Sequence, residues 1–231
     1  MNSRMIAVGL IWLAIGVSGC AETNVKDYSA FRADSPRSIL VVPALNNTTS
    51  VTAPDYFHST VSRPFAERGY YVFPAHMTKR LLEEQGLSDA GLVHSADPTR
   101  LGALFGCGAI LYIVIDRWES RYMVLTTSTN VEFTYTLRSC GTGATLWEHT
   151  EARTYTPQTD SSGNAIVDLI VMAASAAIER AAPNYIPLAQ EANAIAAGVP
   201  GVGLPAGPYL PDRYNNDLSE FPVRASSIGR Y

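Results

Sequence analysis

Residues 109–116 read AILYIVID, and from Ala109 to Ile115 no polar side chain interrupts them. A short run of this kind, rich in β-branched residues and without alternation, is the pattern of a strand covered on both faces. Residues 131–138, VEFTYTLR, read differently: Val131, Phe133, Tyr135 and Leu137 are apolar, whereas Glu132, Thr134, Thr136 and Arg138 are polar. Strict alternation gives a strand with one wet face. Gly141–Gly143 (GTG) then makes a turn, and ATLWEHTEARTYT reads as the return strand of a hairpin.

Upstream of that centre, SILVVPAL (residues 38–45) is a second buried strand, closed by the polar loop NNTTS. Tyr56, Phe57, Thr60, Val61 and Phe65 recur at helical spacing up to Gly69, with Pro64 placed to kink the helix. YYVFPA is a short strand stopped by Pro74, and MTKRLLEEQG a short helix. Asp97 followed by Pro98 is a cap and first turn for another helix, through Leu101, Leu104 and Phe105. A last helix runs from about Ala165 to Ala182. In it Ile166, Leu169, Ile170, Ala173, Ala177 and Ile178 form a packing stripe. The order is β-α-β-α-α-β-β-β-α. It predicts a single α/β (α+β) domain of two or three layers with a mixed, partly parallel sheet.

If the strand from Ala109 pairs antiparallel with the alternating strand, the apolar odd positions share a face only when facing residues sum to an even number, as Leu111 opposite Leu137 does. Cys107 and Cys140 sum to an odd number, so a regular ladder separates them and two small buried thiols are expected. A bulge, or Gly106 and Gly108, would be needed to join them.

Arg4 precedes an apolar run, Met5–Val17, that ends in Ser18, Gly19 and Cys20. A basic start, a hydrophobic middle of about 7–15 residues and small residues before the cut define a secretory leader. The run falls short of the roughly 20 residues that a membrane span needs. The order aliphatic, small, small, cysteine resembles the bacterial lipobox, in which the cysteine is acylated and becomes the first residue. Cys20 is therefore the expected lipidation site, and a lipid anchor to the membrane follows. Ala21, rather than Asp, next to it points to the periplasmic face of the outer membrane. The expected divisions are a leader at 1–19, a lipidated tether at 20–37, the globular domain at 38–190 and a Pro/Gly-rich extension at 191–231, either draped over the domain or mobile.

The chain carries 17 basic and 21 acidic side chains, and without a basic patch there is no nucleic-acid partner to expect. His58, His76, His94 and His149 lie in separate elements, with no metal-ligand spacing among them. No nucleophile elbow, phosphate loop or dinucleotide fingerprint occurs, so no cofactor is expected. Asp116, Glu119, Glu132, Glu148 and Glu151 would serve acid–base chemistry only if two converged in a cleft. The loop residues Asn46, Asn47 and Thr48 are the candidate ligand or partner loop, although such residues also favour turns for local hydrogen-bonding reasons.

DYSAF (27–31), PRSILVVPALNNTT (36–49), RPFAERGYYVFPA (63–75), LGALFGCGAILYIVI (101–115) and TGATLW (142–147) together resemble a family of bacterial outer-membrane lipoproteins of unassigned function. The resemblance implies a fold like that of the amino-terminal domain of TolB and of the curli secretion channel lipoprotein. It also implies envelope partners, among them a curli-channel-like lipoprotein. The expected role is a non-catalytic accessory or structural subunit of an outer-membrane secretion or transport assembly, open to self-association. The rival role is a periplasmic module binding a small ligand or a cell-wall fragment.

Overall fold

A computed structural model describes residues 26–123, 125–158 and 163–223. The expected leader and Cys20 lie outside them. The chain runs α1 (Ser29–Asp34), β1 (Ser38–Val41), β2 (Leu45–Asn46), α2 (Ala53–Glu67), β3 (Tyr71–Val72), α3 (Ala75–Glu84), α4 (Ala90–Ser95) and α5 (Pro98–Phe105). It continues through β4 (Ala109–Met123), β5 (Thr126–Ser139), β6 (Thr145–Tyr155), α6 (Ala165–Ala181) and α7 (Tyr185–Gly198).

The sheet is mixed, in the order β3-β1-β4-β5-β6, with β2 also on β4. β1 pairs parallel to both β3 and β4, while β4, β5 and β6 form an antiparallel meander. Leu111 faces Leu137, the register that side-chain parity requires. Ile39, Val41, Leu111, Ile113, Ile115, Phe133, Tyr135 and Leu137 accordingly share one core with α1, α2 and α7. Leu40, Val42, Ile110 and Tyr112 point the other way and pack on Leu82, Val93 and Leu101 of α3, α4 and α5. The fold is thus three-layered over β1 and β4, and the polar face of β5 stays partly open to water.

Two irregularities shape this frame. From β1 to β2 the chain advances four residues, Val41 to Leu45, while β4 advances three, Leu111 to Val114. The extra residue falls beside Pro43, which has no N–H to give a ladder. In β4 the register shifts between Ile115 and Arg117, so Asp116 is the extra residue, and Trp118 rather than an odd-numbered neighbour enters the core.

The cysteine expectation needs correction: Cys107 and Cys140 form a disulfide, with Cα atoms 6.0 Å apart. The last ladder pair is Ala109 with Ser139, and left-handed Gly106 turns the chain before β4 begins. Both sulfurs lie beyond the ladder, where strand parity no longer applies. Helix α5 comes so near that a Cβ on Gly102 would lie 2.3 Å from the Cys140 carbonyl oxygen, so glycine is required there.

Two other segments differ from expectation, and a third takes one of the two forms expected of it. Residues 26–37, read as tether, belong to the fold from Lys26 on: α1 buries Tyr28 and Phe31. Helix α7 crosses the expected domain end at 190 and packs against α2, with Asn193 accepting from the Tyr135 hydroxyl and donating to Thr60. The Pro/Gly-rich segment is draped over the domain. Four consecutive carbonyls, those of Val202, Gly203, Leu204 and Pro205, accept from Trp147 Nε1, the Tyr28 hydroxyl, Arg68 Nε and the Tyr70 hydroxyl. The buried Asp217 carboxylate then receives Arg32, Arg68 and the Ala206 N–H.

Candidate functional site

β1 lies between β3 and β4, with α2 leaving to one face of the sheet and the α3–α5 return packed on the other. Where such helices part, beyond the carboxyl end of the strand, open α/β sheets leave a crevice. Here it has a volume of about 520 Å³. Val41, Ala44, Leu45, Pro54, Ala75 and Leu87 give it an apolar floor and walls, and Asn46, Asp55, His58, His76, Lys79 and Glu83 add polar groups.

The Pro43–Ala44 peptide in the floor is held from both faces of the sheet. His58 Nε2, on α2, accepts from the Ala44 N–H at 2.9 Å. His94 Nε2, on α4, donates to the Pro43 carbonyl at 3.0 Å. Burial pushes the His58 imidazole down to about 4, Asp55 opposes that shift and Lys79 adds to it. His94 is also lowered by burial, against the pull of its Pro43 bond. Neutral His58 therefore carries its proton on Nδ1, because Nε2 must accept. These histidines shape the floor; they are not brought together as a ligand set.

Of the loop singled out from sequence, Asn46 lines the crevice and Asn47 and Thr48 do not. Asn46 Oδ1 accepts from the Thr48 N–H and hydroxyl, and its Nδ2 donates to the Ser50 carbonyl. Asn47 Nδ2 donates to Asp116. The side chains close a turn of their own.

The strand carboxylates are not gathered into a cleft. Asp116 accepts from Thr134, Arg117 lies between Glu119 and Glu132, and Glu151 takes His149 and Arg153. Among the described residues no cluster of three His, Cys, Asp or Glu side chains has metal-binding geometry. With Cys107 and Cys140 bonded to each other, neither is a thiol nucleophile.

A second feature lies at the far end of the long β4–β5 hairpin. Helix α6 is held there by the Thr127 hydroxyl, which donates to the Ala176 carbonyl, and by the buried Glu179 carboxylate, which accepts from Thr129 and from the Asn184 N–H. The stripe expected to pack does not: Ile166, Ile170 and Ile178 are 72%, 64% and 70% exposed, and Ala176 and Glu179 are buried instead. Met123 and Tyr122 of the hairpin tip add exposed apolar surface, with Arg180 over the Tyr122 ring. No signal in the sequence distinguishes this helix from one that packs. Among the described residues no helix is long and apolar enough to cross a membrane.

A three-layer α/β domain with a crevice beside its central strand and an apolar helix on its hairpin defines the class. The chain belongs to the family described as "Putative lipoprotein GNA1162-like", which matches residues 26–198. It is 33% identical over 135 residues to "Putative lipoprotein NMB1124/NMB1162" of Neisseria meningitidis serogroup B. That match spans 58% of this chain and 63% of the relative, a little under two thirds of its length. The crystal structure of lipoprotein GNA1162 from Neisseria meningitidis is similar, with a TM-score of 0.52 and 31% identity, over 64% of this chain and 99% of that one. A PelC dodecamer from Paraburkholderia phytofirmans matches with a TM-score of 0.39 and 17% identity, over 60% and 84% of the two chains. None of these names carries a catalytic activity.

Proposed function

We propose that this chain is a lipoprotein anchored through Cys20 to the periplasmic face of the outer membrane, serving as a non-catalytic accessory or structural subunit of a secretion or transport assembly. The observation that carries this reading is the apolar surface of α6 with the hairpin tip, which the domain itself leaves uncovered. An exposed apolar patch of that kind marks a contact surface on a soluble domain. The leader pattern ending at Cys20 and the membership of a family of lipoproteins support the anchor.

Lys26 docks where the tether meets the domain: its ammonium donates to the Glu148 carbonyl and lies over the Trp147 ring. Six residues from Cys20 to Lys26 reach about 20 Å at most. The domain is thereby kept close to the bilayer, within reach of other envelope proteins.

The test is affinity purification from mildly solubilised envelopes at native expression, with wild type beside Ile166→Glu/Ile170→Glu. A defined envelope partner, such as a curli-channel-like lipoprotein, is expected with wild type and lost with the double variant. Recovery of the wild-type protein alone overturns the assembly role. Fatty-acid labelling of wild type and Cys20→Ala tests the anchor separately, with label expected only in the former.

A further inference from the structure

The geometry points to the crevice at the end of β1 as a binding site for a short peptide with free amino and carboxyl ends. Its volume of about 520 Å³ falls within the roughly 300–1,000 Å³ of small-molecule sites. The floor is set by the doubly held Pro43–Ala44 peptide rather than by mobile side chains.

The charges around it choose the ligand. Helix α3 carries two pairs of opposite charge at i, i+4, Lys79 with Glu83 and Arg80 with Glu84. Arg80 and Glu84 form an ion pair at 3.2 Å. Lys79 and Glu83, at the same spacing, form none with any described residue, and both line the crevice. Asp55 lines it from α2 and is likewise in no ion pair among the described residues. The site thus offers one ammonium, Lys79, and the carboxylates of Glu83 and Asp55 around an apolar floor, with a third carboxylate, Asp89, accepting from the Leu92 N–H as the cap of α4. A purely anionic ligand would meet three like charges, and a purely cationic one would meet Lys79. A ligand with both charges satisfies both.

The spacing sets its size. Four residues of helix separate Lys79 from Glu83 by about 6 Å along the axis. A dipeptide holds its charged ends about 6–7 Å apart when extended. Its carboxylate would meet Lys79, near the first turn of α3, where Ala75 lines the crevice and free N–H groups favour negative charge. Its ammonium would meet Glu83 and Asp55, and its small side chains the floor. α6 contributes nothing to this lining, so the proposal stands or falls independently of the assembly role.

The experiment is calorimetric titration of the intact domain with alanyl-alanine, repeated with N-acetyl-alanyl-alanine and with alanyl-alanine amide. Saturable binding is expected for the free dipeptide, weakened at least about tenfold by blocking either end, a loss of about 1.4 kcal/mol. Lys79→Gln is expected to weaken the free dipeptide by a similar factor while leaving its difference from the amide small. Glu83→Gln does the same for the acetylated form. These residues are exposed, so the variants keep the fold. Absence of saturation at about 10 mM, a regime weaker than about −3 kcal/mol, overturns the site. Equal binding of blocked and free peptides, or binding that ignores both substitutions, overturns it too.

Discussion

Residues 165–181 and residues 201–222 exchange the roles that their compositions suggest. The first segment is a helix of Ile, Leu, Val and Ala, the stuff of a core, and most of it faces water. The second is rich in Gly and Pro, the composition of a mobile tail, and it is locked in place with Leu204, Ala206 and Phe221 buried. Apolar content supplies a driving force in both cases, but burial also needs a surface already shaped to receive it. The domain presents four buried side-chain donors to the carbonyls of 202–205 and two guanidinium groups to Asp217. To α6, among the described residues, it presents the footing around Thr127 and Thr129 and the Tyr122 ring under Arg180.

The comparison breaks most severely at Asp217. Replacing it with Ala strands Arg68 in a buried position and is expected to cost about 3–5 kcal/mol, the range for removing one partner of a buried ion pair. Urea denaturation measures the loss. Limited proteolysis should then cut within 201–222 in the variant and not in wild type.

The disulfide offers a lock of a different kind against which to gauge that clasp. Its sequence separation of 33 residues corresponds to about 3–4 kcal/mol in a chain-entropy account of the unfolded state. Cys107→Ala/Cys140→Ala should lose that much in urea while leaving 201–222 protected, since the cysteines pack in the core under α3–α5 and Leu204 and Phe221 in the other. Reduction of wild type should lower its stability to a similar degree.

A pH titration sharpens the contrast further by loading the crevice floor, together with His149 on β6, which burial also lowers. His58 sits below its unfolded value near 6.5, so the folded state binds its proton less readily than the unfolded chain does. The stability it contributes is complete above pH 6.5 and is lost as pH falls toward about 4, on the order of 2–3 kcal/mol by the lower end. His94 acts in the same direction. Urea midpoints at pH 7 and pH 4.5 should differ accordingly, and His58→Gln should shrink the difference.

The smallest effect belongs to α6. Ile166→Glu/Ile170→Glu removes apolar surface that is already wet, and is expected to change stability by less than about 0.5 kcal/mol. A loss above about 2 kcal/mol in urea, the range for buried aliphatics, would mean that the stripe packs after all and would erase the contrast between the two segments.

Much of the sheet was legible because alternation is a property of neighbouring residues. The odd positions of VEFTYTLR demanded the partner register that β4 and β5 adopt, and Asp97 with Pro98 marked the start of α5, where the carboxylate accepts from the Thr99 N–H. The rest depended on partners distant along the chain. Helix α7 has Ala at five of its fourteen positions, so its buried and exposed faces differ little in side-chain type, and Pro187 in its first turn breaks no helical bond. The Cys107–Cys140 pairing lay just beyond the strand rules applied to it. Of the crevice, the sequence pointed to Asn46. Lys79, Glu83 and Asp55 come from two other helices and show no local mark of convergence.

Tyr28 donates its backbone N–H to the Pro222 carbonyl at 3.2 Å, so the two ends of the described domain lie side by side. Doors placed side by side make a domain portable: it can be spliced into a surface loop of another protein without stretching either junction. The same placement means that a fluorescent protein fused after residue 223 would ride beside α1, and it would report on that side of the domain rather than on the far tip of the hairpin.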